Sequence, residues 1–194
     1  MKTVIIKYNA GNIQSVLFAL ERIGAQAVVT DDKESILSAD KIIFPGVGEA
    51  STAMGYLKER NLDQVIQSAT QPLLGICLGM QLLCNHSEEN DTPCLGLFDV
   101  EVKKFTSDTL KIPQIGWNNI HVKDNPLFKG VADNSYCYFV HSYYAELSNS
   151  SIATSNYEID FSCALARDNF YGVQFHPEKS AETGEQILKN FLAL

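Results

Sequence analysis

PLLGICLGMQLL, residues 72–83, is an apolar run that turns into a helical pattern at a cysteine set between two glycines. PLLGI (72–76) has the length and continuous apolarity of a strand buried on both faces, and a helix is expected from about residue 79 to 86. The same unit recurs upstream. TVIIKY (3–8) leads to Ile13, Val16, Leu17, Leu20 and Ile23 at helical spacing, closed by Gly24. AQAVVT (25–30) precedes a short helix around 35–39, and KIIFPG (41–46) precedes a helix through Met54 and Leu57. Strands that alternate with helices form a mostly parallel central sheet, and right-handed crossovers place helices on both of its faces. The second half changes character. FDVEVKKF (98–105), NNIHVK (118–123), SYCYFVHSYYAEL (135–147), SIATSNYE (151–158), FSCALARD (161–168) and YGVQF (171–175) are β-like, the last three as a meander, before a helix in ETGEQILKNFLAL (182–194). The expectation is one α/β domain, 1–194, whose parallel sheet carries an antiparallel extension.

At 194 residues, 45 % of them hydrophobic, the chain can bury a full core. A formal charge of −8 argues against nucleic acid, whose phosphates need a basic footprint. No apolar run approaches the roughly 20 residues of a membrane span, and Met1-Lys2 is followed by nothing resembling a signal segment, so a soluble, cytoplasmic protein is expected. The five cysteines form no C-x-x-C pair, which suits reduced thiols and predicts no zinc or other metal site.

Gly75-Ile76-Cys77-Leu78-Gly79 has the G-x-nucleophile-x-G form of a strand-to-helix elbow, which lifts a side chain above the carboxyl ends of the strands. A Cβ at either glycine would crowd neighbouring backbone, and the free N–H groups where the helix starts favour a thiolate. Cys84, Cys94, Cys137 and Cys163 lack that context and are assigned to the core. A thiol of ordinary pKa needs a base. His176 ends the strand of YGVQFHPEKS, and Glu178 stands two residues on, where an extended segment would bring it to the same side as the imidazole. His141 lies within a strand-like run and is read as packed, His86 as ending a helix, and His121 as alternating on a strand. In FPGVGEA (44–50), Gly46 and Val47 offer backbone N–H groups that, with the N–H of Leu78, would make an oxyanion hole. Gly46-x-Gly48 lacks the third glycine of a dinucleotide fingerprint, and no cofactor is expected.

These residues come in a recognisable order: Pro45-Gly46-Val47-Gly48, Gly75-Ile76-Cys77-Leu78-Gly79-Met80-Gln81, Pro113-Gln114-Ile115-Gly116-Trp117-Asn118, Tyr138-Phe139-Val140-His141-Ser142-Tyr143-Tyr144 and His176-Pro177-Glu178-Lys179-Ser180. Over nearly its whole length the chain resembles the class I glutamine amidotransferases, and among them the glutaminase subunits of imidazole glycerol phosphate synthase. The resemblance implies a flavodoxin-like fold, a Cys77-His176-Glu178 triad acting on L-glutamine, and glutamine contacts from Gln81, Ser142 and Tyr143. It also implies a heterodimer with a (β/α)8-barrel cyclase subunit that takes the ammonia in a step of histidine biosynthesis, with Trp117 and Asn118 at the joint. The chain departs from the family at Lys7 and Ala50, where a carboxylate and a phenylalanine are usual. Two other classes share features of the elbow: a cysteine hydrolase that needs neither glutamine nor partner, and a non-catalytic subunit, against which the intact Cys77, His176 and Glu178 count.

Overall fold

The computed structural model describes residues 1–9 and 11–194; Ala10, in the loop that carries Lys7, lies outside the described residues. In chain order the first half runs β1 (Thr3–Ile6), α1 (Ile13–Arg22), β2 (Ala27–Thr30), α2 (Lys33–Leu37), β3 (Lys41–Gly46), α3 (Ala50–Glu59), α4 (Leu62–Gln67), β4 (Leu73–Cys77) and α5 (Leu78–Leu83). The second half adds β5 (His86–Ser87), β6 (Thr92–Pro93), β7 (Glu101–Lys104), β8 (Gln114–Val122), β9 (Ser135–His141), β10 (Tyr143–Ala145), β11 (Ser151–Tyr157), β12 (Ile159–Arg167), β13 (Phe170–Val173) and α6 (Ala181–Ala193). Short 3-10 turns sit at Pro126–Phe128 and Pro177–Lys179.

The sheet order is β2-β1-β3-β4-β13-β12-β10-β7-β5-β6. From β2 to β13 every pairing is parallel, and β12 and β10 then add antiparallel strands. The expected extension is therefore an addition to the edge of the parallel sheet, and β11-β12-β13 is the expected meander. Period-two alternation sorts the central strands between two cores. Val4, Ile6, Ile42, Phe44 and Leu73 face Ile36, Met54, Leu57 and Ile66 of α2, α3 and α4. Ile5, Ile43, Leu74 and Ile76 face Val16 and Leu20 of α1 and Ile187, Leu188 and Phe191 of α6. Both faces are thus covered, which is why these strands are continuously apolar.

Several expectations change at their edges. Helix α4 is not evident in the sequence, because its polar stretch follows α3 with only Arg60 and a left-handed Asn61 (φ 53°) to separate them. Residues 135–147 are two strands: β9 pairs with β8, whereas β10 pairs with β7 and β12, and the chain changes partners at Ser142. Helix α5 stops at Leu83 because Cys84 turns extended, so His86 does not end a helix. It sits on β5 between Asp91 and Glu101 instead. Cys94 is half-buried, whereas Cys84, Cys137 and Cys163 are in the core.

The elbow glycines are required by distance. A Cβ on Gly79 would lie 1.9 Å from the Phe44 carbonyl oxygen, and one on Gly75 would lie 2.8 Å from the Met80 nitrogen. Both obstacles are backbone, so α5 would have to leave β3. Gly79→Ala should destabilise the fold by about 1–3 kcal/mol or more. Gly55→Ala, on the exposed side of α3 with open space around its would-be Cβ, should stabilise it by about 0.5–1 kcal/mol. Urea midpoints of the two variants check the contrast.

Candidate active site

Parallel pairing brings the carboxyl ends of β3, β4 and β13 to one edge, with Gly46 directly across from Cys77. Cys77 is the last residue of β4 and stands immediately before α5, at φ 55° and ψ −111°. A side chain rarely adopts that backbone, and such strain collects where a functional group must be held out of the regular ladder. Leu78 opens α5, so its N–H has no acceptor within the helix.

His176 follows β13 and is anchored through its backbone. Its N–H donates to the Tyr138 carbonyl at 2.9 Å, and its own carbonyl accepts from Ser180 Oγ at 2.7 Å. The Ser180 oxygen in turn accepts from the Tyr138 N–H at 2.9 Å, which locks the segment against β9. Nδ1 of His176 lies 2.8 Å from Glu178 Oε1, both side chains being almost entirely removed from solvent. The route to this contact differs from the sequence expectation. Glu178 lies in the Pro177–Lys179 3-10 turn, so it is the tight turn set by Pro177 that folds the carboxylate back onto the ring. A carboxylate can only accept here, so Nδ1 carries the proton and Nε2 is left for the site. Burial pulls the His176 pKa down, but hydrogen bonding and charge from Cys77 and Glu178 outweigh it and hold the imidazolium well above its ordinary 6.5.

A cavity of about 320 Å³ opens onto these groups, lined among others by Val47, Gly48, Cys77, Leu78, Gln81, Ser142, Tyr143 and His176. The structure therefore brings together all the expected catalytic and glutamine-contacting side chains. Gln81 is buried, with its amide nitrogen donating to the Tyr143 carbonyl at 3.0 Å, and so does not belong to a solvated face of α5. Gly46 packs too tightly for a side chain, since a Cβ there would lie 2.3 Å from the Tyr8 hydroxyl. His141 is packed between the Tyr143 carbonyl and the Gln114 side chain. Burial, partly offset by the Tyr143 contact, pulls its pKa down to about 4 and keeps it neutral. Trp117 lies apart from the cavity on the outer face of β8, 53 % exposed. Asn118, next along the strand, turns to the other side and donates to the Asn156 carbonyl at 2.9 Å.

A model of the family described as glutamine amidotransferase class-I matches residues 4–194. The chain belongs to that family. A Bacteroides fragilis protein named imidazole glycerol phosphate synthase subunit HisH is 55 % identical over 196 residues, with 100 % of both chains covered. The protein of the same name from Haemophilus influenzae is 49 % identical over 189 residues, covering 97 % of this chain and 95 % of its own. Among solved structures, a Thermotoga maritima protein described as a glutamine amidotransferase superposes with a TM-score of 0.64 at 19 % identity, covering 99 % of this chain and 82 % of that one. Another, described as PurLQS from the same organism, superposes with a TM-score of 0.75 at 16 % identity, covering 99 % of this chain and 97 % of that one. Both share the fold.

In this amidotransferase the structure also places residues that the sequence alone does not single out. Asn12, left-handed at φ 73° before α1, makes no capping bond; its side-chain amide donates to Glu178 Oε1. Arg22, at the other end of α1, donates to the Glu178 carbonyl at 3.3 Å. Glu89 and Lys179 line the cavity, and burial raises the Glu89 pKa against the opposing hydrogen bond from Ala50 N–H. Gln174 is fully buried within reach of Cys77. A signal for it exists: it stands two residues before His176 in the YGVQF run read from the sequence as a strand, hence on the same expected side, although β13 itself ends at Val173. Among the described residues no helix is long and apolar enough to cross a membrane, and no cluster of side chains is arranged to hold a metal ion.

Proposed function

We propose that Cys77, His176 and Glu178 hydrolyse L-glutamine to glutamate and ammonia, and that the ammonia passes to a (β/α)8-barrel cyclase subunit bound as a heterodimer. The observation that carries this reading is the strained Cys77 elbow in the same cavity as an imidazole held by a buried carboxylate at 2.8 Å. The thiolate attacks the side-chain amide carbon of glutamine, and the oxyanion is received by the Leu78 N–H and the Gly46–Val47 backbone. His176 gives its proton to the departing nitrogen as the C–N bond breaks. The neutral imidazole then takes a proton from water, whose oxygen attacks the thioester; glutamate leaves, and the Cys77 thiolate is restored beside the imidazolium. Glu178, held by Asn12, fixes the tautomer and steadies the imidazolium. Gln81, Ser142 and Tyr143 bound the glutamine, while Glu89 and Lys179 suit its ammonium and carboxylate.

The partner reading is supported by a surface. Ile115 and Trp117 of β8 project with Tyr136 of β9, each more than half exposed, beside Tyr138 and Val140. Val140 and Pro113 also line the cavity, so this apolar face runs directly into its mouth. A partner docked there would close the site from water and receive the ammonia before it is protonated. The whole chain then acts as one amidotransferase domain, supplying nitrogen for imidazole glycerol phosphate and aminoimidazole carboxamide ribonucleotide in L-histidine biosynthesis.

The test is glutamate release by the complex across pH. A raised His176 pKa keeps the acid form available through neutrality, so the rate should decline only well above pH 6.5. Glu178→Gln removes one of the groups that hold that proton, and should bring the alkaline limb down by about one pH unit while lowering the maximum less than His176→Ala does. An unmoved alkaline limb, or equal losses in the two variants, would remove Glu178 from the triad.

A further inference from the structure

We propose that Gln174 is a catalytic residue, whose side-chain amide donates a hydrogen bond to the Cys77 sulfur and stabilises its thiolate. The proposal rests on Cys77 as the nucleophile. Gln174 is 0 % exposed, and its Nε2 lies 3.7 Å from Cys77 Sγ, an ordinary distance for a donor on sulfur. What makes the contact informative is that its direction is determined. The Tyr143 backbone carbonyl can only accept, so Gln81 must present Nε2 to it at 3.0 Å. The same nitrogen lies 2.9 Å from the Gln174 side chain, which must therefore answer with its oxygen. Gln174 is left with its NH2 facing Cys77, and turning it over would set two donors against each other. A backbone carbonyl thus dictates, through two amides, that a donor and not an acceptor meets the sulfur.

A neutral donor has a particular use here. The ionised groups around Cys77 are His176, with Glu178 behind it, and Glu89 and Lys179 along the cavity wall, while Tyr8 and His141 are both buried and kept neutral. His176 can return its proton to the sulfur, which would quench the thiolate it stabilises. The Gln174 amide cannot transfer a proton, so it stabilises the thiolate without quenching it. The thiolate also has the Val140 carbonyl at 3.7 Å, an acceptor to which only the protonated thiol can donate. Gln174 therefore opposes a contact that favours the wrong protonation state.

The experiment measures how fast Cys77 is alkylated by iodoacetamide as pH is varied, with the adduct located by peptide mass and Cys77→Ala as the blank. A hydrogen bond to a charged group is worth enough that Gln174→Met should move the thiol midpoint upward by about one pH unit. If the methionine variant does not fold, Gln174→Asn carries the test: it keeps an amide, withdraws it by one methylene, and should move the midpoint in the same direction. An unchanged midpoint in either folded variant overturns the proposal. Failure of the underlying reading looks different: Cys77→Ala would retain glutamate release, whatever Gln174 does to the thiol.

Discussion

Cys77→Ala in the complex with the cyclase will eliminate synthesis from glutamine and leave synthesis from added ammonium salts intact. The two halves of that result have separate causes. On the proposed route, loss of the sulfur removes the atom that forms the acyl bond, and His141, the other imidazole on the cavity wall, cannot replace it because it is buried and committed to Tyr143 and Gln114. Removing a nucleophile that works as a unit with its base costs about 10⁶ in turnover in the hydrolase where this has been dissected. The core should tolerate the change, because Cys77 is small, lines the cavity and makes long sulfur contacts to Val140 and Gln174. Ammonia supplied in solution bypasses the reaction altogether. Assays of the product nucleotide with glutamine and with ammonium chloride, on the same preparation, separate the two. Retained glutamine use would remove Cys77 from the nucleophile's role, and loss of both activities would mean that the variant no longer assembles.

The second large effect concerns when the site is switched on. The cyclase loaded with its nucleotide should raise glutamate release by about 10²–10³ over the isolated chain, the range lost when one oxyanion donor is removed from a model hydrolase. The loop after β3 is built for such a change. Tyr8, buried, donates from its hydroxyl to the Pro45 carbonyl at 2.7 Å and fixes the peptide before Gly46. Beyond that clamp, Gly46 has no side chain, and Gly48 sits at φ +121° with open space around it. The peptide between Gly46 and Val47 is therefore expected to rotate between an arrangement that presents its N–H to the cavity and one that presents its carbonyl, without moving the strand behind it. Val47 is more than a third exposed at the cavity mouth, so a partner on the apolar face beside it can bias the two arrangements. Glutamate release is to be compared for the isolated chain, with empty cyclase, and with cyclase saturated by its nucleotide. Agreement of the three rates within a few-fold would dismiss the gating while leaving the hydrolytic chemistry untouched.

Much of this arrangement is legible in the chain itself. Lys41–Gly46 is bounded correctly because its apolar run ends in Pro45-Gly46, and the elbow is legible because only glycine fits where Gly79 meets the Phe44 carbonyl. What escapes is set by partners distant in sequence. Period-two alternation continues straight through Ser142, so nothing local reveals that β9 and β10 belong to different neighbours. An extended segment would pair Glu178 with His176, yet a 3-10 turn accomplishes the contact, because Pro177 starts a turn as readily as it ends a strand. Asn12 has the position of a helix cap, whereas its side chain is spent on Glu178, a contact spanning 166 residues. The orientation of Gln174 depends on a carbonyl at Tyr143 and an amide at Gln81, and no spacing rule connects those three positions.

On the proposed route, glutamine is bonded to Cys77 on its way to glutamate. The most direct measurement is to mix the nucleotide-loaded complex with isotopically labelled L-glutamine, quench in acid within a turnover, digest, and locate the label by mass spectrometry. A γ-glutamyl thioester on the peptide containing Cys77, absent in Cys77→Ala, is the predicted result; label on another residue, or glutamate formed at the full rate by Cys77→Ala, would contradict it.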